Sequence, residues 1–193
     1  MTLLYKWLKI MKLNFPIVLT LFRIIIIPFF ILTFYFTYQY SSIYCTTIFV
    51  LSSLTDWLDG FLSRKWNQTT KFGEFIDPIA DKIMIITTLI LIIEYFNSWY
   101  ITLLSYIMII REIVVSILRT CIIKFSNYNI KLISTKLSKL KTSFQMFSLI
   151  VLLYDKNIIV ENIGVNLLFT ATLLAFFSML QYLYVIWKNI YNY

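Results

Sequence analysis

The chain has 193 residues, 60% of them hydrophobic, with a mean hydropathy of +0.81 and only three glycines and three prolines. This composition favours a helical integral membrane protein over a soluble domain. Its 17 basic and 9 acidic residues give a formal net charge of +8. It contains no histidine, which excludes a histidine general base, a Ser-His triad and histidine metal ligands. Cys45 and Cys121 are too few and too far apart for a disulfide or metal framework.

Six apolar runs follow one another along the chain, and each predicts a helix. A crossing needs about 20 apolar residues, so the chain has room for about six spans and no separate extramembrane domain. We therefore predict an all-α, polytopic bundle of six transmembrane helices that forms one membrane domain over residues 1–193. The fifth run is shorter than a usual crossing, so its helix is expected to extend backward into the preceding lysine-bearing segment. The runs are residues 14–37, 41–63, 75–95, 99–125, 140–154 and 162–190.

Basic residues are concentrated in alternate connections between these runs. They precede the first run and lie between the second and third runs and between the fourth and fifth. Lys156 is the only basic residue in the loops on the opposite side. The positive-inside rule therefore places these connections and both termini in the cytoplasm. We expect the bilayer as a partner, and no nucleic acid. The basic residues are Lys6, Lys9, Lys12, Arg64, Lys65, Lys71, Lys124, Lys131, Lys136, Lys139 and Lys141.

Four aspartates form the most informative cluster, which we call the aspartate motif: Asp56, Asp59, Asp77 and Asp81. An ionisable side chain at the centre of a membrane helix is disfavoured by about 2.5–3.5 kcal/mol. Divalent metal offsets this cost, because carboxylate oxygens are the ligands that Mg²⁺ prefers and paired metals suit phosphoryl chemistry. Spacings of three and four residues place each pair on one face of a helix. Two such faces predict a cation site.

Small residues and one arginine stand at fixed offsets from these aspartates. A short or missing side chain lets a bulky ligand lie against the backbone, although helix packing alone is the alternative reading for the glycines. Pro78 removes a backbone donor and disfavours helix at Asp77, so either a kink or a late helix start is expected there. The residues beside the aspartates are Gly60, Ser63, Arg64 and Gly73.

Residues 56–81 resemble the signature of the CDP-alcohol phosphatidyltransferases, D-x2-D-G-x2-A-R-x8-G-x3-D-x3-D. Every spacing agrees, and only Ser63 departs, at a position that is usually alanine. The resemblance implies a six-helix bundle, expected as a homodimer in the bacterial inner membrane. It also implies a role for each position of the motif. Asp56, Asp59 and Asp77 would bind a pair of divalent cations, Mg²⁺ or Mn²⁺; Asp81 would complete the metal site and act as general base; and Gly60, Ser63, Arg64 and Gly73 would accommodate the cytidine diphosphate moiety of CDP-diacylglycerol.

Segments outside the signature are similar to family members whose acceptor is glycerol 3-phosphate. These segments are residues 14–28, 111–119 and 139–146, and Ser138 departs where glycine is usual. The resemblance implies that the phosphatidyl group passes from CDP-diacylglycerol to glycerol 3-phosphate and that CMP leaves. Asp81 would take the proton of the attacking hydroxyl.

A dianionic acceptor also suits the basic residues, which bind phosphate through charge-assisted hydrogen bonds. For Lys131 and Lys136 we prefer a role in orienting the loop or attracting anionic lipid headgroups. Arg111 lies within an apolar run, so its alternative role is to neutralise Glu112 or a motif aspartate. The candidates for the acceptor phosphate are Arg111, Arg119, Lys139 and Lys141.

Two rival functions remain open on the sequence alone. The same chemistry can serve another alcohol, such as serine or an inositol phosphate. A cation transporter also holds intramembrane aspartates, but it requires neither Arg64 beside them nor carboxylates near the cytoplasmic end.

Overall fold

The described part of the chain is almost entirely α-helical. A computed structural model describes residues 15–36, 41–66, 71–125, 136–154 and 157–191, and no strand occurs within these ranges. The predicted all-α class is therefore confirmed, and each of the six apolar runs corresponds to a helix. The helices are α1 (Phe15–Phe36), α2 (Ser41–Trp66), α3 (Lys71–Phe96), α4 (Trp99–Phe125), α5 (Lys136–Tyr154) and α6 (Ile158–Tyr191).

The first residues of α5 and α3 test two predictions made from the sequence. Helix α5 begins at Lys136, so the backward extension predicted for the fifth run is confirmed. Helix α3 begins at Lys71 and continues through Pro78, so the late start considered for this helix is wrong. A proline withdraws one backbone donor, and the mainly apolar sequence that follows is sufficient to continue the helix. Asp77 and Asp81 therefore belong to the same helix.

Asn97 separates α3 from α4. Its φ of 44° is in the left-handed region, which asparagine tolerates better than most residues. Its backbone N–H donates to the carbonyl of Ile93 over 3.1 Å, which satisfies one acceptor at the end of α3. The chain can therefore begin α4 at Trp99 after a connection of only Asn97 and Ser98.

The structure divides into two compact units, residues 1–88 and residues 89–193. In the first unit, α1 packs against α2. Ile27 and Phe30 of α1 and Cys45 and Phe49 of α2 are buried. The hydroxyl of Thr33 lies 3.6 Å from the Cys45 sulfur, which adds a polar contact between the same two helices.

In the second unit, α6 packs against both α4 and α5. Small residues on α6, Ala171 and Ala175, are buried. The Ser148 hydroxyl on α5 donates to the Gly164 carbonyl on α6 over 3.0 Å. Small side chains and interhelical hydrogen bonds are the usual means by which membrane helices approach closely.

The distribution of polarity is inverted relative to that of a soluble protein. Arg23 and Lys141 are each only 1% exposed, whereas Phe36 and Trp99 are each 79% exposed. Apolar side chains on the outside and charged ones inside are what a hydrocarbon solvent favours, because lipid solvates the former and excludes the latter. The surface of this bundle therefore suits a bilayer.

Helix length supports the same setting. In the described part of the chain, two stretches are long and apolar enough to cross a membrane: Trp99–Leu118 in α4, with 20 residues, and Ile158–Tyr184 in α6, with 27 residues. Shorter apolar stretches of 10–17 residues occupy Phe22–Phe36, Ser42–Thr55 and Leu140–Tyr154.

Gly164 provides a test of the α5–α6 packing. A Cβ atom at this position would lie 2.7 Å from Leu152 Cδ2 and 2.8 Å from Leu152 Cγ, and Leu152 is only 1% exposed. Alanine favours helix over glycine by about 1 kcal/mol. We nevertheless expect Gly164→Ala to destabilise the protein by about 1–3 kcal/mol, because overpacking dominates. Thermal unfolding in detergent measures the loss.

The matched control is the same substitution in a Leu152→Ala background, where the obstructing side chain is gone. There Gly164→Ala should be neutral or stabilising, which a double-mutant cycle reports as coupling between the two sites. Equal destabilisation in both backgrounds would contradict the close approach of α5 and α6.

Candidate functional site

The aspartate motif lies on two consecutive helices of the first unit. Asp56 and Asp59 are in the second half of α2, and Asp77 and Asp81 are in the first half of α3. Because both segments are helical, the spacings of three and four residues place each pair on one side of its helix. The predicted arrangement of two helical pairs is confirmed at the level of the backbone. The side chains of the other three aspartates, Asp56, Asp59 and Asp77, lie outside the described part. For the residues beside the motif only the backbone is described, and they are Gly60, Ser63, Arg64 and Gly73.

Asp81 is the motif residue whose side chain is described, and it pairs with Arg23. The Arg23 Nη1 atom on α1 donates to Asp81 Oδ1, forming a salt bridge between α1 and α3. The Arg23 side chain is 2% exposed and that of Asp81 is 33% exposed. A buried guanidinium thus holds the carboxylate of Asp81, while that carboxylate remains partly accessible. Arg23 lies in the family-like segment 14–28, and its pairing with Asp81 was not predicted from the sequence.

The donor chemistry of the motif fits a hard divalent cation. All four predicted ligands are carboxylates, which supply the oxygen atoms that Mg²⁺ and related ions prefer. The one-third exposure of Asp81 leaves this ligand within reach of an ion. No group of three or more metal-ligating side chains occurs among the residues whose side chains are described.

A second polar group lies in the other unit, where α4, α5 and α6 meet. Glu112 on α4 accepts from Lys141 Nζ on α5, and the same Oε1 atom lies 3.3 Å from Arg111 Nη1. The other terminal nitrogen of Arg111, Nη2, donates to the Ser178 hydroxyl on α6 over 2.6 Å. We call these residues the charged cluster. They are Arg111, Glu112, Lys141 and Ser178.

Every member of the charged cluster is buried. Arg111 is 9% exposed, Glu112 is 8% exposed and Lys141 is 1% exposed. Buried ionic groups are stable only when they are paired and hydrogen-bonded, and here one carboxylate serves two cations. The alternative role for Arg111, neutralisation of Glu112, is therefore confirmed, and Lys141 has the same partner. Both cations are tied into the packing of the second unit.

For the remaining acceptor candidates, Arg119 and Lys139, the structure describes only the backbone. Arg119 lies on α4, two turns beyond Arg111, and Lys139 lies on the first turn of α5, two residues before Lys141. Their side chains lie outside the described part, as do Lys131 and the side chain of Lys136. Residues two apart on a helix point to different sides, so Lys139 and Lys141 do not share a face.

The buried face of α5 carries two polar residues besides the predicted phosphate-binding residue Lys141. Lys141, Gln145 and Ser148 are all buried, at 1%, 0% and 0% exposure. Gln145 lies within the family-like segment 139–146, and Ser148 lies beyond it. Their spacing of three and four residues on a short apolar helix is the signal that could have identified a polar stripe.

Comparison with known proteins agrees with the motif. The family profile described as CDP-alcohol phosphatidyltransferase matches residues 13–187. The chain belongs to the CDP-alcohol phosphatidyltransferase family. The matched residues include the whole aspartate motif and the charged cluster.

Three similar proteins carry the name CDP-diacylglycerol–glycerol-3-phosphate 3-phosphatidyltransferase. The protein of Wigglesworthia glossinidia brevipalpis is 51% identical over 94% of this chain and 100% of its own length. That of Sodalis glossinidius is 47% identical over 90% of this chain and 95% of its own. That of Blochmanniella floridana is 51% identical over 89% of this chain and 90% of its own.

We expect removal of the Glu112 carboxylate from the charged cluster to destabilise the protein strongly. Glu112→Gln removes the carboxylate that Arg111 and Lys141 both contact, and breaking a buried ion pair in this way is expected to destabilise the protein by about 3–5 kcal/mol. Thermal unfolding in detergent should show the loss. The control is Glu94→Gln, an exposed residue of α3, for which a change within about 0.5 kcal/mol is expected.

The double variant Glu112→Gln with Lys141→Met removes one cation together with the carboxylate. It should be more stable than Glu112→Gln alone, because fewer buried charges are uncompensated. A double variant less stable than the single one would contradict the pairing.

Proposed function

We propose that this chain transfers the phosphatidyl group from CDP-diacylglycerol to glycerol 3-phosphate, giving phosphatidylglycerophosphate and CMP. The observation that carries this proposal is the identity of 47–51% to relatives of that name over about nine-tenths of the chain. The protein is accordingly a transferase of phospholipid biosynthesis.

The aspartate motif is proposed to hold divalent cations. Asp56, Asp59, Asp77 and Asp81 are the expected ligands, with Mg²⁺ or Mn²⁺ as the expected ion and two ions as the expected number. When bound, such ions stabilise charge that develops on a phosphoryl group undergoing displacement. Arg64, Gly60, Ser63 and Gly73 are proposed to accommodate the cytidine diphosphate moiety.

Asp81 is proposed as the general base that takes the proton from the attacking hydroxyl of the acceptor. Two described features support this role: the side chain is partly accessible, and Arg23 holds it in one position. A positioned carboxylate is an effective base because its oxygen is already oriented when the substrate arrives. The acceptor oxygen then attacks the phosphorus that bears diacylglycerol, and CMP leaves.

The phosphate of glycerol 3-phosphate is proposed to bind basic residues of α4 and α5. Arg111 and Lys141 are supported by the charged cluster, in which two cations contact the same carboxylate. Guanidinium and ammonium groups bind phosphate through charge-assisted hydrogen bonds. Arg119 and Lys139 are proposed as further contacts.

The membrane arrangement is proposed from charge and length together. All six helices cross the bilayer, both termini and the aspartate motif face the cytoplasm, and the protein resides in a bacterial inner membrane as a homodimer. The alternation of basic connections supports the orientation, and the apolar exterior supports the bilayer setting.

An acceptor assay tests the proposal directly. Purified protein supplied with CDP-diacylglycerol should release CMP with glycerol 3-phosphate, and serine or an inositol phosphate should give little release. Chelation should abolish release, and added Mg²⁺ or Mn²⁺ should restore it. Preference for another acceptor would replace the proposed substrate, and cation uptake without CMP release would favour a transporter.

Variants of the aspartate motif separate metal binding from folding. Asp56→Asn, Asp59→Asn and Asp77→Asn should each lower CMP release by at least about 100-fold while the protein still inserts, because each amide replaces an anionic ligand. Asp81→Asn should reduce turnover by a similar factor. Glu161→Gln, in the first turn of α6, is the matched carboxylate control and should retain activity. Full activity in any of the four Asp→Asn variants would remove that residue from the site.

A further inference from the structure

The salt bridge between Arg23 and Asp81 joins a buried cation to a partly accessible carboxylate. The side chain of Arg23 is 2% exposed and that of Asp81 is 33% exposed. The two residues are 58 positions apart, and Arg23 lies outside residues 56–81, which carry the aspartate motif. The Asp81 carboxylate therefore remains within reach of a ligand, while the group that holds it belongs to a different helix and to the interior of the first unit.

Packing on α1 holds the Arg23 side chain in place. Ile27 and Phe30 follow Arg23 by four and seven residues, so the three lie on one face of the helix. Ile27 is 7% exposed and Phe30 is 0% exposed, which shows that this face is the buried one. On α3, Ala80 immediately before Asp81 is also 0% exposed. The guanidinium therefore reaches Asp81 from a well-packed support, and its position is fixed before any substrate binds.

Stability alone does not account for this pair. Removing a guanidinium from water is costly, and apolar side chains of similar volume often stabilise a protein as well as a buried ion pair does. The pair does, however, provide orientation. A carboxylate that accepts at Oδ1 from a fixed donor can no longer rotate freely, so both of its oxygen atoms keep defined positions. Such restraint is useful for a side chain that has to meet a reacting hydroxyl.

We propose that Arg23 is a positioning residue of the active site, which acts through Asp81 and raises turnover by fixing the orientation of its carboxylate. The inference rests on the proposed function, in which Asp81 takes the proton from the attacking hydroxyl of the acceptor. Arg23 itself takes no part in proton transfer. Because a displacement of about 1 Å can lower a rate by about 100-fold, a residue of α1, outside the aspartate motif, controls the chemical step.

A double-mutant cycle on turnover tests this role. CMP release by the full-length protein in nanodiscs is measured at saturating Mg²⁺, CDP-diacylglycerol and glycerol 3-phosphate, so that it gives kcat. Arg23→Lys keeps a buried cation but replaces the planar guanidinium with an ammonium group, and it should lower kcat by about tenfold while KM for both substrates changes by less than about twofold. In an Asp81→Asn background the same substitution should change kcat by less than about twofold, because the carboxylate through which Arg23 acts is absent.

Ile27→Val is the matched control on the same face of α1. Removal of one buried methyl group weakens the packing of this face but leaves the salt bridge intact. The substitution should lower Tm in detergent and leave kcat unchanged. If Ile27→Val lowered kcat as much as Arg23→Lys does, turnover would depend on the packing of α1 in general, and the proposal would be overturned.

A purely structural role of Arg23 predicts a different result. Arg23→Lys would then lower kcat by the same factor in both backgrounds, and this result would overturn the proposal. If Arg23→Lys fails to fold, Arg23→Met, which removes the buried charge, is measured in the same cycle and must show the same coupling to Asp81. Absence of CMP release by unaltered protein, or full activity of Asp81→Asn, would refute the proposed function itself. Normal kcat in Arg23→Lys together with impaired Asp81→Asn refutes this inference alone.

Discussion

Pairing of charges inside an apolar bundle is the constraint on which the structure depends. In hydrocarbon an unpaired ionic side chain is strongly disfavoured, so each buried charge requires a partner. Arg23 meets Asp81 across α1 and α3 in the first unit. Lys141 and Arg111 meet Glu112 in the second unit, and Ser178 of α6 completes the cluster. In each unit, the charged residues proposed for chemistry also hold helices together.

Much of the fold follows from apolar periodicity and helix length. The six runs become six helices, and the short fifth run begins at Lys136, because an apolar stretch of 15 residues or so is too short to cross hydrocarbon by itself. Pro78 shows where local rules fail. Its missing donor suggested a late helix start, but the apolar residues that follow continue a helix already formed from Lys71, and one lost hydrogen bond is insufficient to end it. The positions of the four aspartates on two helices were likewise predictable, since spacing alone determines which residues share a face.

Partners across the bundle were less accessible to sequence reasoning. Arg23 and Asp81 are 58 residues apart, and Lys141 and Glu112 are 29 apart. Periodicity shows that each lies on a buried face, but it does not determine which buried face another helix presents to it. A cation within an apolar run indicates that a partner exists but does not identify it. Glu112 was one of several partners considered for Arg111, and the structure shows this pairing. No partner was predicted for Arg23. Gln145 did carry a signal, since its spacing from Lys141 and Ser148 marks one face of α5, but that spacing does not determine what the face meets.

The charged cluster also explains how cations proposed for phosphate binding can be buried before substrate arrives. Lys141 and Arg111 both direct a nitrogen to the same oxygen of Glu112, and without that carboxylate their mutual repulsion in a medium of low dielectric would separate them. Arg111 is further restrained because its guanidinium fork divides its donors between Glu112 and Ser178, a geometry that lysine cannot reproduce. One carboxylate is thus sufficient to hold two cations next to each other. The same pairing that stabilises the second unit therefore keeps two basic side chains of α4 and α5 together, which is what the proposed binding of a phosphate-bearing alcohol requires.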